Sequence, residues 1–212
     1  YDNSALMGGL SARYEFDSGF ALFGSAAYTE NLPIIDDLSN AVFMTQPEKS
    51  RTYEIGAAYA GSDVFTSEDS LQAKVNLFRS ELWDVTSYSG IGSVDSEGVE
   101  LELTYALASG LYFDLNAAYG DYESVSTTGV RGDWSNAPAN SARLTVGKRI
   151  GAAWDLSWEQ VVAEEGNKNY GGYGVSNLRA TYRPQSGVLA GTELRFGIEN
   201  AFDRLYKPNL AT

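Results

Sequence analysis

Hydrophobic and polar residues alternate with a period of two along most of the chain. In residues 99–107, the clearest segment, Val, Leu, Leu, Tyr and Leu hold the odd positions, and Glu, Glu and Thr lie at 100, 102 and 104. Successive side chains of a β-strand point to opposite faces, so the pattern predicts strands with one apolar and one polar face. We predict no helix and ten strands, whose clearest alternation falls within residues 6–16, 20–28, 52–59, 71–77, 99–107, 111–119, 142–146, 154–158, 178–182 and 194–198.

The lengths of these segments and of their connections favour a membrane barrel over a soluble β-sandwich. The alternating segments run for about 9 to 12 residues, which is the length a tilted strand needs to cross a bilayer. Apart from Arg79 and Lys148, charged side chains within the segments lie on the polar face. Short connections alternate with mostly longer ones, as periplasmic turns alternate with extracellular loops in outer-membrane barrels. The short connections are 17–19, 62–70, 109–110, 150–153 and 183–191, and the longer ones are 31–50, 83–96, 123–140 and 164–173.

Aromatic residues on the apolar face gather near the strand ends, which is typical of the two interfacial girdles of such barrels. The sequence therefore predicts an all-β, transmembrane antiparallel barrel in the bacterial outer membrane, in contact with lipid. With the short turns in the periplasm, both ends of the ten strands come to lie outside the cell. We therefore expect residues 1–212 to be a partial C-terminal barrel domain that lacks neighbouring strands. The girdle residues are Phe16, Phe20, Tyr59, Tyr105, Phe113, Trp154 and Tyr182 beside the short turns, and Tyr28, Tyr53 and Tyr119 toward the loops.

Composition removes several classes of function. The chain has a formal net charge of −13, which would repel a nucleic acid, so no nucleic-acid partner is expected. It contains no Cys and no His, so a disulfide framework, a thiolate site and a Ser-His catalytic pair are all excluded. We predict neither an enzyme nor a metal site. The first residues lack the pattern of a signal peptide, and no segment reaches the roughly 20 apolar residues of a membrane helix.

Three segments resemble TonB-dependent outer-membrane receptors. Residues 193–208, ELRFGIENAFDRLYKP, are similar to the penultimate strand and following loop of that family. Residues 46–59, QPEKSRTYEIGAAY, resemble its Pro-Glu…Tyr-Glu-Xaa-Gly segment. Residues 96–122, SEGVELELTYALASGLYFDLNAAYGDY, resemble its Glu-Gly-Val-Glu-Leu-Glu hairpin. Together the three span most of the chain in the expected order.

The resemblance implies a barrel of about 22 strands whose lumen holds an N-terminal plug domain. It also implies an energy transducer of the TonB type as a partner, contacted through an N-terminal region that these residues do not include. The signal peptide, the plug and the last strand are expected elsewhere in the whole protein, and residues 1–212 alone are expected not to transport. Glu54, Glu100 and Glu102 on the polar face are expected to form an ion-paired lining against the plug.

The transported ligand is expected to carry iron, with heme first and a ferric siderophore second, and no resident cofactor is expected. Residues 29–40 and 46–56 resemble in placement the loop of heme and hemophore receptors, so a hemophore or hemoprotein is a further possible partner. Of the Phe-Arg-Ala-Pro-like box of that loop only Pro33 is kept, the second box is not recognisable, and the heme-ligating His is absent. These departures leave the ligand open.

Apolar and aromatic loop residues are the candidate ligand contacts. Pro33, Ile35, Phe43 and Met44 would offer an apolar surface to a hydrophobic ligand, with Met44 as a soft contact to heme iron. The others would stack on a porphyrin or on catecholate rings, although loop packing or interfacial anchoring explains both groups without a ligand. The acidic loop residues Asp36, Asp37, Glu48, Glu164 and Glu165 are expected to be solvated. The candidates are Pro33, Ile35, Phe43, Met44, Trp83, Tyr88, Tyr170 and Tyr173.

Two alternatives remain open at this point. A passive porin, or an outer-membrane enzyme of the same architecture, would share the barrel without a plug. A soluble β-sandwich binding domain would also alternate, but its apolar side chains would face a second protein layer instead of lipid.

Overall fold

The computed structural model describes residues 4–32, 46–134, 140–164 and 171–206, which form one antiparallel sheet. Within them the strands follow chain order, β1-β2-β3-β4-β5-β6-β8-β9-β10-β11, and β7 pairs with β6 beside this path. Strands β1 and β11 form the two edges of the described sheet. The strands are β1 Met7–Glu15, β2 Phe20–Asn31, β3 Glu48–Ser62, β4 Ser70–Trp83, β5 Ile91–Ala106, β6 Leu111–Ser126, β7 Arg131–Asp133, β8 Asn140–Ile150, β9 Trp154–Ala163, β10 Tyr173–Tyr182 and β11 Leu194–Ile198. The described residues contain no helix of the length and apolar character that a membrane span requires.

All ten predicted strands are confirmed and most of them are longer than predicted, whereas the short strand β7 was not predicted. Residues 83–96 and 123–140 were predicted to be loops, and this is wrong in part. Strand β4 continues to Trp83, β5 begins at Ile91, and β6 continues to Ser126 before the short strand β7. The apolar half of the alternation stops near Arg79 because Arg79 and Glu81, on that face of β4, are charged. Backbone pairing nevertheless continues, as the pairing of Trp83 with Ser93 shows.

The sheet exposes its apolar face and buries part of its polar face. Ile55, in the middle of β3, is 64% exposed, whereas Asn76 on the polar face of β4 is 5% exposed. A soluble domain would show the reverse, because apolar burial drives its folding in water. We call the polar face the inward face and the apolar face the outward face. The prediction that the apolar side chains do not pack on a second protein layer is confirmed for the described residues.

The apolar residues of the outward face form a belt, which we call the apolar belt, and it runs obliquely across the paired strands. Phe20 lies at the short-turn end of β2, and the row of directly paired residues that starts there reaches Gln160 on β9. The short-turn end of β9 is Trp154, six residues away from Gln160. The offset accumulates at about one residue per strand, which corresponds to the tilt of roughly 35–45° found in membrane barrels.

Aromatic pairs mark the short-turn end of the outward face, as predicted for a girdle. Phe20 and Tyr59 lie with ring centroids 4.7 Å apart, and Trp154 stacks on Tyr182 at 4.4 Å. Rings with an apolar body and a polar edge favour the boundary between hydrocarbon and water. The two pairs lie on β2 and β3 and on β9 and β10, so aromatic residues mark the short-turn boundary of the outward face near both edges of the sheet.

A buried carboxylate organises the turn between β3 and β4. Asp69 is 1% exposed, and its two oxygens accept hydrogen bonds from the backbone N–H groups of Val64, Phe65 and Thr66 at 2.6 to 2.9 Å. The Tyr105 hydroxyl donates a further bond to Asp69 at 2.8 Å. Burial alone would raise the pKa of Asp69, but these four donors outweigh it and hold the pKa below its ordinary value. The turn is therefore built around an ionised Asp69.

Candidate functional site

The inward face is lined by polar and charged side chains that pair across strands. Lys74 on β4 donates to Glu102 on β5 at 3.0 Å, and Asn76 donates to Glu100 at 3.3 Å. Ser25 on β2 donates to Glu54 on β3 at 3.0 Å. The carboxylates predicted to line the lumen therefore lie on one continuous wall.

Glu159 is the centre of the most buried ionic cluster on this wall. The guanidinium of Arg179 donates two bonds to it, at 3.1 and 3.2 Å, and the amide of Asn177 donates a third at 2.8 Å. Arg143 approaches from the other side at 3.7 Å. The side chain of Glu159 is 6% exposed, whereas that of Glu102 is 56% exposed, so the two inward carboxylates differ strongly in burial.

Aromatic rings of the inward face lie against glycines of neighbouring strands. Tyr112 covers its paired residue Gly147, and a Cβ added to Gly147 would overlap the ring. The ring of Phe78 lies 2.9 Å from the position of a Cβ added to its paired residue Gly98, which the carbonyl oxygen of Tyr119 approaches more closely still. Glycine inside a strand commonly marks such a close approach. These contacts fix bulky rings flat on the wall instead of leaving them in the lumen.

At the long-loop end, the outward face changes from apolar to charged. The row of paired residues Tyr53, Arg79, Glu97 and Asp121 begins this change. The next row adds ion pairs, such as the one between Arg131 and Glu123. Charges on this face are costly in hydrocarbon, so strands β3 to β6 leave the hydrocarbon at these rows. The long-loop end of the sheet therefore stands above the membrane core.

Glu48, at the start of β3, holds the loop between β4 and β5. It is 8% exposed, and one of its oxygens accepts bonds from the N–H groups of Thr86 and Ser87 at 3.2 and 3.3 Å and from the Ser87 hydroxyl at 2.6 Å. Lys49 adds an ion pair to Asp84 at 2.7 Å. The expectation that Glu48 is a solvated loop residue is wrong, because three donors of the neighbouring loop surround its carboxylate.

The same loop brings Tyr88 against Trp134. The two rings meet edge to face with centroids 4.8 Å apart. The N–H of Trp134 donates to the carbonyl of Tyr122, so Trp134 extends the pairing of β7 with β6 and shares the inward face with Tyr122. Trp134 was not among the predicted contacts, because its pairing with Tyr88 depends on how two separate loops meet.

The other predicted ligand contacts do not lie together in the structure. Trp83 was predicted to lie in a loop, but it is the last residue of β4 and lies on the outward face, 6.1 Å from the Tyr28 ring and 5.6 Å from the Arg51 guanidinium. Tyr173 was also predicted in a loop but begins β10, on the inward face, where its ring lies 4.8 Å from that of Tyr206. The remaining candidates, Pro33, Ile35, Phe43, Met44 and Tyr170, lie outside the described residues.

Among the described residues, no group of three His, Cys, Asp or Glu side chains has the arrangement to hold a metal ion. The buried acidic residues of this part of the chain, Glu48, Asp69 and Glu159, are instead engaged with amides, hydroxyls and cations.

An exposed apolar belt, a polar inner wall and tilted strands describe a membrane barrel, and comparison with known families decides which one. The family described as "TonB dependent receptor-like, beta-barrel" matches residues 1–201. The chain belongs to this family. Its sheet is a part of the barrel of an outer-membrane TonB-dependent receptor, open at β1 and β11 among the described residues.

Individual relatives agree with this assignment. Heme/hemopexin utilization protein C of Haemophilus influenzae (strain 86-028NP) is 24% identical over 222 residues, which cover 88% of this chain. The solved structure of copper transporter OprC superposes with a TM-score of 0.76 at 19% identity, over 95% of this chain and 34% of that protein. Ferric citrate transporter FecA in the unliganded form gives a TM-score of 0.69 at 18% identity, over 94% of this chain and 34% of that protein. At these identities the structural matches establish the fold.

The chain spans about 30% of the length of the curated heme/hemopexin relative. In barrels of this architecture the short turns lie in the periplasm and the long loops lie outside the cell. The Asp69 turn therefore belongs to the periplasmic end, and the Tyr88–Trp134 and Tyr173–Tyr206 pairs belong to the extracellular end of the inward face.

Proposed function

We propose that the chain forms the lumen wall and part of the extracellular mouth of an active importer. In this proposal the loops capture an iron-bearing ligand, the inward face cradles a plug domain, and a TonB-type transducer supplies the energy that rearranges the plug. The observation that carries the proposal is the polar inward wall, with partly buried ionic groups such as Glu159, in a chain of the TonB-dependent receptor family. A wall of this kind suits contact with a folded polar domain.

The whole protein is proposed to add the plug and further strands to the described sheet. Strands β1 and β11 each have one neighbour among the described residues, so each presents unpaired backbone groups along one side. Such an edge cannot face hydrocarbon, because the bilayer core offers no partner for backbone N–H and C=O groups. Closure by additional strands, to a total of about 22, satisfies both edges. The length of the curated relative is in keeping with this proposal.

Heme is the first proposed ligand, and a ferric siderophore is the second. The sequence relative is named for heme and hemopexin utilization. The two aromatic pairs at the extracellular end support a ligand with a flat π surface, because such rings stack on aromatic side chains. Tyr88 and Trp134 are proposed as one contact surface, and Tyr173 and Tyr206 as a second.

The predicted contacts outside the described residues remain part of the proposal, namely Pro33, Ile35, Phe43, Met44 and Tyr170. Trp83 is proposed to anchor the outward face near the membrane boundary, since its ring lies beside Tyr28 and Arg51 on that face. A hemophore or hemoprotein that docks on the extracellular loops remains a proposed protein partner.

Growth with hemin as the sole iron source tests the importer. The full-length gene is expressed in an iron-starved Gram-negative host that lacks its own heme receptors, with and without a functional TonB protein. We expect growth only with TonB. Growth that is independent of TonB would favour a passive pore, and growth on ferric catecholate but not on hemin would select the second ligand.

A further inference from the structure

Glu48 contacts the β4–β5 loop in a way that a surface carboxylate does not. One oxygen of its carboxylate, Oε2, accepts hydrogen bonds from the backbone N–H groups of Thr86 and Ser87 and from the Ser87 hydroxyl. The side chain of the adjacent residue, Lys49, points from the opposite face of β3 and forms an ion pair with Asp84. The first half of the loop is therefore held from both faces of one strand.

The buried side chains around this contact indicate that the loop is packed rather than merely tethered. Val85 and Thr86 within the loop are buried, as is Val94 on β5. A carboxylate at such a place is stable only when hydrogen bonds replace its hydration, and the three donors supply them. Removing the carboxylate would leave the buried N–H group of Thr86 and the N–H group of Ser87 without this acceptor.

Tyr88 is fixed on both sides of its position in the loop. Ser87, the residue before it, is held by Glu48, and the carbonyl of Gly90 accepts a bond from the N–H of Thr127 at 2.9 Å. Between these two points the Tyr88 ring meets Trp134 edge to face. Because both loop ends are held, the two rings form a preorganised surface at the extracellular end of the inward face.

We propose that Glu48 is a positioning residue for ligand capture, which acts by holding Tyr88 against Trp134. The surface suits a flat, π-rich iron chelate, either a porphyrin or a catecholate complex. This inference rests on the proposed function, since it assigns a role to Glu48 within ligand binding. Preorganised contacts bind more tightly because less conformational entropy is lost on binding, so freeing this loop is expected to weaken binding about tenfold.

The test uses the purified full-length receptor in detergent, with hemin and a ferric tris-catechol complex as separate probes. The variants are Glu48→Ala, Glu48→Gln, Tyr88→Ala and the double variant of Glu48→Ala with Tyr88→Ala. Glu193→Ala is the matched control, because Glu193 is an ion-paired carboxylate, bound by Arg183 and Arg195, at the short-turn end of the sheet. Probe affinity is measured by absorbance titration, loop order by hydrogen exchange at the Thr86 and Ser87 amides, and folding by heat-modifiable migration on gels.

We expect Glu48→Ala to increase exchange at both amides and to weaken binding of the preferred probe about tenfold, while Glu193→Ala changes neither. Glu48→Gln keeps an acceptor oxygen and should recover most of the affinity. Adding Glu48→Ala to Tyr88→Ala should weaken binding no further, because Glu48 acts through Tyr88.

Two results would overturn the role of Glu48. One is unchanged affinity or unchanged exchange in a folded Glu48→Ala receptor, and the other is an additive loss in the double variant. Failure of the wild-type receptor to bind either probe would instead overturn the proposed ligand class, and this inference with it. The wild-type titration thus separates failure of the proposed function from failure of the Glu48 role.

Discussion

The phenol ring of Tyr112 lies against Gly147, its directly paired residue on the neighbouring strand, and leaves no room for a side chain there. The Tyr112 hydroxyl donates to Asp155 at 2.9 Å, and the guanidinium of Arg149 lies 4.9 Å from the ring centre. One aromatic residue thus connects strands β6, β8 and β9 across the inward face.

Gly147→Ala should destabilise the receptor by about 1–3 kcal/mol, because the added methyl group displaces the Tyr112 ring and breaks its bond to Asp155. The measurement is the temperature at which the folded full-length receptor loses its heat-modifiable migration. Gly132→Ala is the control, since nothing lies within 4 Å of a Cβ at that position on β7. An equal transition temperature for the two variants would show that the ring does not hold the strands together.

Asp69→Asn should lower the transition temperature, with an effect that depends on pH. The pKa of Asp69 is held below its ordinary value of 3.8, so its stabilising contribution is fully present above that value. The contribution is lost as the pH falls through the lower pKa of the folded state. The difference between wild type and Asp69→Asn should therefore be constant from about pH 8 to pH 5 and shrink only below about pH 4. A difference that already disappears near pH 6 would contradict the ionised turn.

Glu159→Gln should cost more stability than Glu102→Gln, although both carboxylates lie on the inward face. The buried Glu159 accepts bonds from Arg179 and Asn177, and its loss leaves two arginines without their anion, at a cost of about 1–3 kcal/mol. The pair of Glu102 with Lys74 is exposed, and such pairs contribute about 0–1 kcal/mol. The same thermal assay ranks the two variants, and equal losses would show that burial does not distinguish them.

The strands could be predicted from sequence wherever one face meets lipid. Alternation is strong in residues 99–107 because every second side chain must be apolar in the membrane core. Above the core this requirement ends, so Arg79, Glu97 and Asp121 occupy the outward face while the backbone ladder continues. The predicted strands therefore stopped where the hydrocarbon stops, several residues before the sheet does.

The candidate site was less accessible to prediction. Tyr88 could be singled out as an aromatic loop residue, but its partner Trp134 follows from the docking of one loop on another. Glu48 was assigned to solvent because a carboxylate in a loop segment is usually exposed. Its burial depends on two N–H groups 38 and 39 residues further along the chain, and no local pattern reveals such a contact.

The orientation of the two faces is the central claim, and Ala117 and Ala118 test it most directly. They are adjacent on β6, with Ala117 on the outward face paired to Leu101 and Ala118 on the inward face paired to Glu100. The 212 residues contain no Cys, so each position can be converted singly to Cys and labelled with an environment-sensitive fluorophore in a full-length receptor from which any other Cys has been removed. The receptor is then reconstituted in vesicles whose acyl chains carry bromine, a short-range quencher. We predict strong quenching of the label at position 117 and little at position 118, and equal or reversed quenching would contradict the lipid-facing assignment of the apolar belt.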